Sequence, residues 1–146
     1  LAAMLPVCLV PALAIGRPNP CSFGGAGNAD YNPDRPGIVR LTRHPLLFAL
    51  ALWAAAHILP NGDLAHVILF GAFAIFALAG GWLVDRRKRR ASPSSWGELE
   101  ARRRAASFFP SPGSWVNVVL RGAFGVGIYA SIIWLHPWLF GVDPLQ

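Results

Sequence analysis

The sequence predicts an all-α, multi-pass transmembrane protein organised around a central helical hairpin. Three observations carry that prediction. The chain of 146 residues is 54% hydrophobic and only 14% charged, with a positive mean hydropathy, a balance unusual for a soluble domain of this size. Two apolar runs flank the short punctuation Pro60-Asn61-Gly62-Asp63, as expected of two antiparallel helices and their turn. The cations are gathered, not spread: Arg86, Arg87, Lys88, Arg89, Arg90 and then Arg102, Arg103, Arg104 follow directly on an apolar run, where the positive-inside rule places a cytoplasmic loop. That loop accounts for the net charge of +6, so the lipid bilayer is the expected partner and nucleic acid is not.

In chain order, residues 1–15 read as a partial transmembrane helix. They carry no charge but rise only about 22 Å through a hydrocarbon core about 30 Å thick. Pro6 and Pro11 suit a membrane helix, where neighbouring segments re-satisfy the carbonyls that proline frees. The chain opens on Leu1 inside this apolar run, without an initiator Met, and is read as N-terminally truncated. Residues 16–44 form an interfacial loop rich in Gly, Pro, Asn and Asp. Its Gly24-Gly25-Ala26-Gly27 has no preceding strand and no following Lys-Ser/Thr, so it reads as a flexible loop and not as a phosphate cradle. Cys8 and Cys21 make no C-x-x-C pair and leave the redox compartment undetermined.

Residues 45–84 are the hairpin. Pro45 fits the first helical position with His44 before it at the cap. Leu46, Leu50, Trp53 and His57 recur on one face; Pro60 and Gly62 end the helix, and Asp63 caps the next. Residues 64–84 rise about 31 Å, enough to span. Antiparallel helices then bring Arg40, Arg43 and the Arg86 cluster to the same side of the membrane. Residues 85–114 read as a basic cytoplasmic loop with a surface helix, opened by the capping box Ser95-Trp96-Gly97-Glu98 and closed by Pro110, Pro112 and Gly113. Glu98 and Glu100 read as solvated. Residues 115–140 form the last span, with Arg121 snorkelling to one interface, Trp134 and Trp138 marking the other, and Ala123, Gly127 and Ser131 as a small-residue packing seam. The whole chain, 1–146, reads as one membrane domain.

Ionisable side chains inside a membrane are costly, so the four histidines carry the functional expectations. Arg40, Arg43 and His44 form either a helix cap in wet headgroups or an anion- or cofactor-binding site at the cytoplasmic face. His57, His66 and His136 fall near the opposite side. His44 and His57 lie about 20 Å apart along one helix and cannot ligate the same iron, whereas His57 with His136, or either with His66 or a residue of the expected upstream part, could. The competing reading for those two is a neutral imidazole bonded to a carbonyl in a helix interface. No H-x-x-x-H, H-E-x-x-H or G-x-S-x-G is present, and no paired carboxylates lie in the apolar runs.

The stretch G-I-V-R-L-T-R-H-P at 37–45, with L-W-A-A-A-H-I-L-P-N-G-D-L-A at 52–65, L-F-G-A-F-A-I-F-A-L at 69–78 and W-L-H-P-W-L-F-G-V at 134–142, resembles the NnrU family of bacterial membrane proteins. The resemblance implies a multi-pass protein of the bacterial inner (cytoplasmic) membrane linked to nitrite and nitric oxide reduction, that is, to denitrification. Its implied partners are a lipophilic small molecule or a respiratory membrane complex. The family is similar to plant and cyanobacterial 15-cis-ζ-carotene isomerase, a haem b enzyme. That similarity implies isomerase-like chemistry with His44 and His57 as catalytic candidates, Arg40, Arg43, His44, His57 and His136 as cofactor-binding candidates, and His57 and His136 as haem-iron ligands. More distantly, R-H-P before a helical hairpin resembles isoprenylcysteine carboxyl methyltransferase-like enzymes, implying S-adenosylmethionine against Arg40, Arg43 and His44. The third alternative is a non-catalytic membrane assembly factor whose histidines only pack and hydrogen-bond.

Overall fold

The computed structural model describes residues 1–107 and 114–145. Among the described residues there are five α-helices and no strand: α1 (Met4–Ala14), α2 (Pro45–Ile58), α3 (Leu64–Ala91), α4 (Pro93–Ala105) and α5 (Trp115–Phe140). The turn expected at Pro110, Pro112 and Gly113 lies outside the described residues. Side-by-side packing runs in the order α5, α1, α2, α3, and α4 folds back beneath a 3-10 turn at Gly37–Arg40. Helices α3 and α5 are long and apolar enough to cross a membrane; α1 and α2 are apolar but shorter.

The hairpin forms as its sequence dictates. His44 is the N-cap of α2 and Pro45 the first helical residue, a position where proline's missing N–H costs nothing. Asp63 caps α3, its Oδ1 accepting from the backbone N–H groups of Ala65 and His66, both at 3.1 Å. Close approach of the two helices is helped by Gly80, where a Cβ would lie in ordinary contact, 3.5 Å from Leu47 Cδ1.

The basic segment departs from expectation. Helix α3 does not stop at Val84; it continues through Asp85 and the Arg86–Arg90 cluster to Ala91. Arg and Lys are good helix formers, and the first residue that refuses the helix is Ser92, at φ −151° and ψ 77°, because the residue before a proline is pushed out of the helical region. Helix α4 therefore starts at Pro93 and not at a Ser95 capping box; the Ser95 hydroxyl donates instead to the Ser92 carbonyl at 3.3 Å.

The α1–α5 seam also differs. Its closest point is Gly125, where a Cβ would stand 3.1 Å from both Ala12 Cβ and Leu9 Cδ2. Gly127 has open space beside it, and Ala123 and Ser131 are exposed. Spacing by four marks a face of small residues, but α1 packs on the neighbouring face. At the far end of α5, Trp134 and Trp138 stand well exposed, as an interfacial belt requires.

Gly125→Leu therefore overpacks the α1–α5 contact and lowers stability by about 1–3 kcal/mol, read as an earlier thermal melt in detergent. Gly127→Leu does not lower it.

Candidate functional site at the basic end of the hairpin

Antiparallel packing sets the first residues of α2 against the last apolar turn of α3. Arg43 Nη2 lies 2.7 Å from Asp85 Oδ2, and the His44 Nε2–H donates to Asp85 Oδ1 at 3.0 Å. Gly81, one turn before Asp85, leaves room for the ring: a Cβ there would meet His44 Cδ2 at 3.2 Å. The opposite ring nitrogen, Nδ1, is 2.9 Å from Ser22 Oγ.

Ser22 is delivered by a folded turn of the 16–44 loop. Asn19 anchors it, donating Nδ2–H to the Arg43 carbonyl at 3.1 Å and accepting from the Cys21 N–H at 3.0 Å. The Asn19 N–H donates to Asn28 Oδ1 at 2.7 Å. A Cβ on Gly25 would collide with this turn, 2.8 Å from Asn28 Oδ1 and 2.9 Å from the Arg17 carbonyl. Glycine is thus required here by close approach, not by the flexibility expected of the Gly24–Gly27 stretch.

Helix α4 closes the site from below. Glu100, expected to be solvated, is its hub. It receives two parallel hydrogen bonds of 2.8 Å from Arg103 Nε and Nη2 and one of 2.7 Å from Arg104 Nε, and it lies 3.2 Å from Arg43 Nη1. The Arg103 hydrogen bonds, with Arg104 and the charges of Arg103 and Arg43, hold the Glu100 carboxyl down at about 2 against desolvation. Arg103 is buried and donates Nη1–H to the Val39 and Arg40 carbonyls at 3.0 and 3.1 Å, tying α4 to the 3-10 turn. Arg102 turns the other way to pair with Asp34. Beside this cluster, Cys21 is fully enclosed and burial pushes its thiol up to about 11, so it is an inert neutral thiol at ordinary pH. Burial also raises the Tyr31 hydroxyl, which has no hydrogen-bond partner among the described residues.

Of the residues singled out in the sequence, Arg40, Arg43 and His44 do converge. Each is engaged by the protein itself: Arg40 Nε donates to the Ala106 carbonyl at 3.0 Å, Arg43 sits between two carboxylates, and both His44 nitrogens have partners. His57 and His136 lie at the other end. The His57 Nδ1–H donates to the Trp53 carbonyl at 2.8 Å, and the ring packs on Trp53 and Phe70, each 4.9 Å away between centroids. The His136 Nδ1–H donates to the Val142 carbonyl at 2.7 Å. Both are carbonyl-bonded imidazoles whose Nε2 has no hydrogen-bond partner among the described residues. Helix α1 packs against both α2 and α5. His66 pairs with Asp63 at the hairpin tip and also stacks on Phe70, 6.0 Å away between centroids. Among the described residues no three His, Cys, Asp or Glu side chains converge on a metal-sized point.

Sequence reasoning missed Ser22, Asp85, Glu100 and Arg103. Asp85 was within reach of it: in an antiparallel hairpin the acid closing the second helix falls opposite the R-H that opens the first. The partners Ser22 and Glu100 depend on loop and α4 folding that no periodicity encodes.

What the arrangement can do is move a proton. With Nε2–H given to Asp85, a neutral His44 accepts the Ser22 hydroxyl hydrogen at Nδ1, and a protonated one donates there, so either state is satisfied.

The folded carboxyl of Glu100 titrates below the ordinary value of 4.5, so its contribution is fully present above that pH and is lost as pH falls from there towards about 2. Hydrogen exchange of the α4 amides reads this: protection persists at neutral pH and declines across that acid window. Glu100→Gln lowers α4 protection already at pH 7 and flattens the acid dependence.

The family model described as NnrU protein matches residues 1–144, nearly the whole chain. No curated protein matches the chain, and no solved structure does. The chain belongs to the NnrU family.

Proposed function

We propose that this NnrU family member is a multi-pass protein of the bacterial cytoplasmic membrane that performs isomerase-like proton transfer on a lipophilic substrate, with His44 as the acid–base group. One observation carries the reading: His44 alone among the four histidines has its two ring nitrogens on a carboxylate and a hydroxyl, at 3.0 and 2.9 Å. Asp85 fixes the Nε2–H tautomer, and Ser22 is the hydroxyl through which a proton enters or leaves Nδ1. Arg43 holds the second oxygen of Asp85, keeping the carboxylate oriented on the ring. The apolar helices supply the medium from which such a substrate comes, and the Arg86–Arg90 cluster orients this end to the cytoplasm.

Proton shuttling leaves a trace that does not require knowing the substrate. The full chain, incubated in D2O with a total bacterial lipid extract, places solvent deuterium on carbon in one lipid species detectable by mass spectrometry. His44→Gln reduces the incorporation by at least about 100-fold, and Asp85→Asn reduces it by a smaller factor. Absence of label with the wild-type chain, at near-stoichiometric protein, sinks the reading.

A second reading has its own observation. The Trp53 carbonyl takes the Nδ1–H of His57 and leaves Nε2 with a free lone pair, the tautomer an iron-binding histidine needs. In this reading His57 holds haem b by itself from α2, and bound haem would supply iron-centred electron transfer of the sort nitrogen-oxide reduction uses. The protein purified in mild detergent and supplemented with haem then shows a Soret band whose α and β bands sharpen on reduction. That band is lost in His57→Ala and retained in His136→Ala.

A further inference from the structure

Away from the histidine site, an apolar cavity of about 570 Å³ runs between α1 and α5, lined by Val7, Pro11, Leu120, Phe124, Ile128 and Ile132 among others. From Leu120 to Ile132 it extends about 18 Å along the helix, close to the roughly 15 Å depth of one leaflet. Its walls are apolar until the end nearest the 16–44 loop, where Asn117 and Arg121 complete the lining.

Two guanidinium groups meet at that end. Asn117 Oδ1 accepts from Arg17 Nη2 at 3.0 Å and from Arg121 Nε at 2.7 Å. Arg121 Nη1 donates to the Ile15 and Ala12 carbonyls at 2.7 and 3.2 Å, closing the C-terminus of α1. Among the described residues no carboxylate forms an ion pair with either arginine, in contrast to Arg43, Arg102, Arg103 and Arg104. Burial and the neighbouring charge of Arg121 both hold the Arg17 guanidinium below its ordinary range. Two cations share one neutral acceptor, at the mouth of an apolar groove one leaflet long.

We infer that the α1–α5 groove binds an anionic phospholipid, with its phosphodiester on Arg17 and Arg121 and one acyl chain lying between the helices as far as Ile132. Charge complementarity selects the headgroup, because an anion relieves the repulsion that Asn117 only bridges. The groove's length and apolar lining select a chain-bearing ligand over a free anion. This inference rests on the membrane reading above but not on His44 or His57.

The test uses the full chain. Membrane-inserted protein first resists alkaline carbonate extraction; release by carbonate overturns the membrane reading and this inference together. The protein in mild detergent is then titrated with phosphatidylglycerol or phosphatidylcholine and read by native mass spectrometry. Phosphatidylglycerol is retained at least tenfold more tightly. Arg17→Gln, which removes one side-chain hydrogen bond and leaves the α1 cap intact, brings its retention close to that of phosphatidylcholine. Ile128→Trp, which fills the groove, abolishes retention of both. Equal retention of the two lipids by carbonate-resistant protein overturns the inference while leaving the membrane reading standing, as does an unchanged Arg17→Gln. Displacement by millimolar inorganic phosphate, with Ile128→Trp retaining the lipid, also overturns it and assigns the arginines to a free anion.

Discussion

Arg43 bridges two carboxylates that come from different helices, Asp85 of α3 and Glu100 of α4, and the basic end of the molecule depends on that bridge. Each of the three side chains is largely withdrawn from water, and a charge so placed is tolerated only while its partners stay in position. Removing Arg43 leaves Asp85 with His44 alone and Glu100 with Arg103 and Arg104. The consequences spread outward from there: Asp85 fixes His44, Glu100 fixes Arg103, and Arg103 takes the carbonyls of the 3-10 turn. Three segments distant in sequence, residues 37–44, Asp85 and residues 100–104, are thus joined by electrostatics. The long helices contribute less to this end than their size suggests, since most of the side chains on α3 and α5 face outward.

Much of the architecture is written in local chemistry. Pro45 after His44, Pro60-Asn61-Gly62 and Asp63 each fix a helix boundary through a backbone property of that residue, and all are found where the sequence puts them. Composition misled where it stood in for conformation. A run of arginines suggested a loop, yet arginine is a good helix former and α3 simply continues until Pro93 stops it. Likewise the spacing of Ala123, Gly127 and Ser131 describes a face without saying whether another helix lies against it; Gly125 answers to the shape of Leu9 and Ala12, which only the folded chain brings near. The site was legible to the same degree. Arg43 and His44 could be read from hairpin direction, whereas Glu100 looked like any acid on a polar helix until Arg103 was found turned inwards.

The histidines divide by what their ring nitrogens touch. At the hairpin tip and at the end of α5, backbone carbonyls take one nitrogen of His57 and of His136, and among the described residues nothing takes the other. At the basic end, carboxylate and hydroxyl take both nitrogens of His44. The first arrangement suits a ligand to something else and the second suits traffic in protons. His44 and His57 thus stand in unlike surroundings at opposite ends of helix α2.

Helix α3 has no break between Leu64 and Ala91, so Asp85 and Gly81 ride on the same rod that carries the hairpin tip. Its apolar part, residues 64–84, rises about 31 Å, and the last turns carry Asp85 and the Arg86–Arg90 cluster about 10 Å beyond it. The hairpin tip and the Asp85 carboxylate are therefore held at a fixed separation by one unbroken rod.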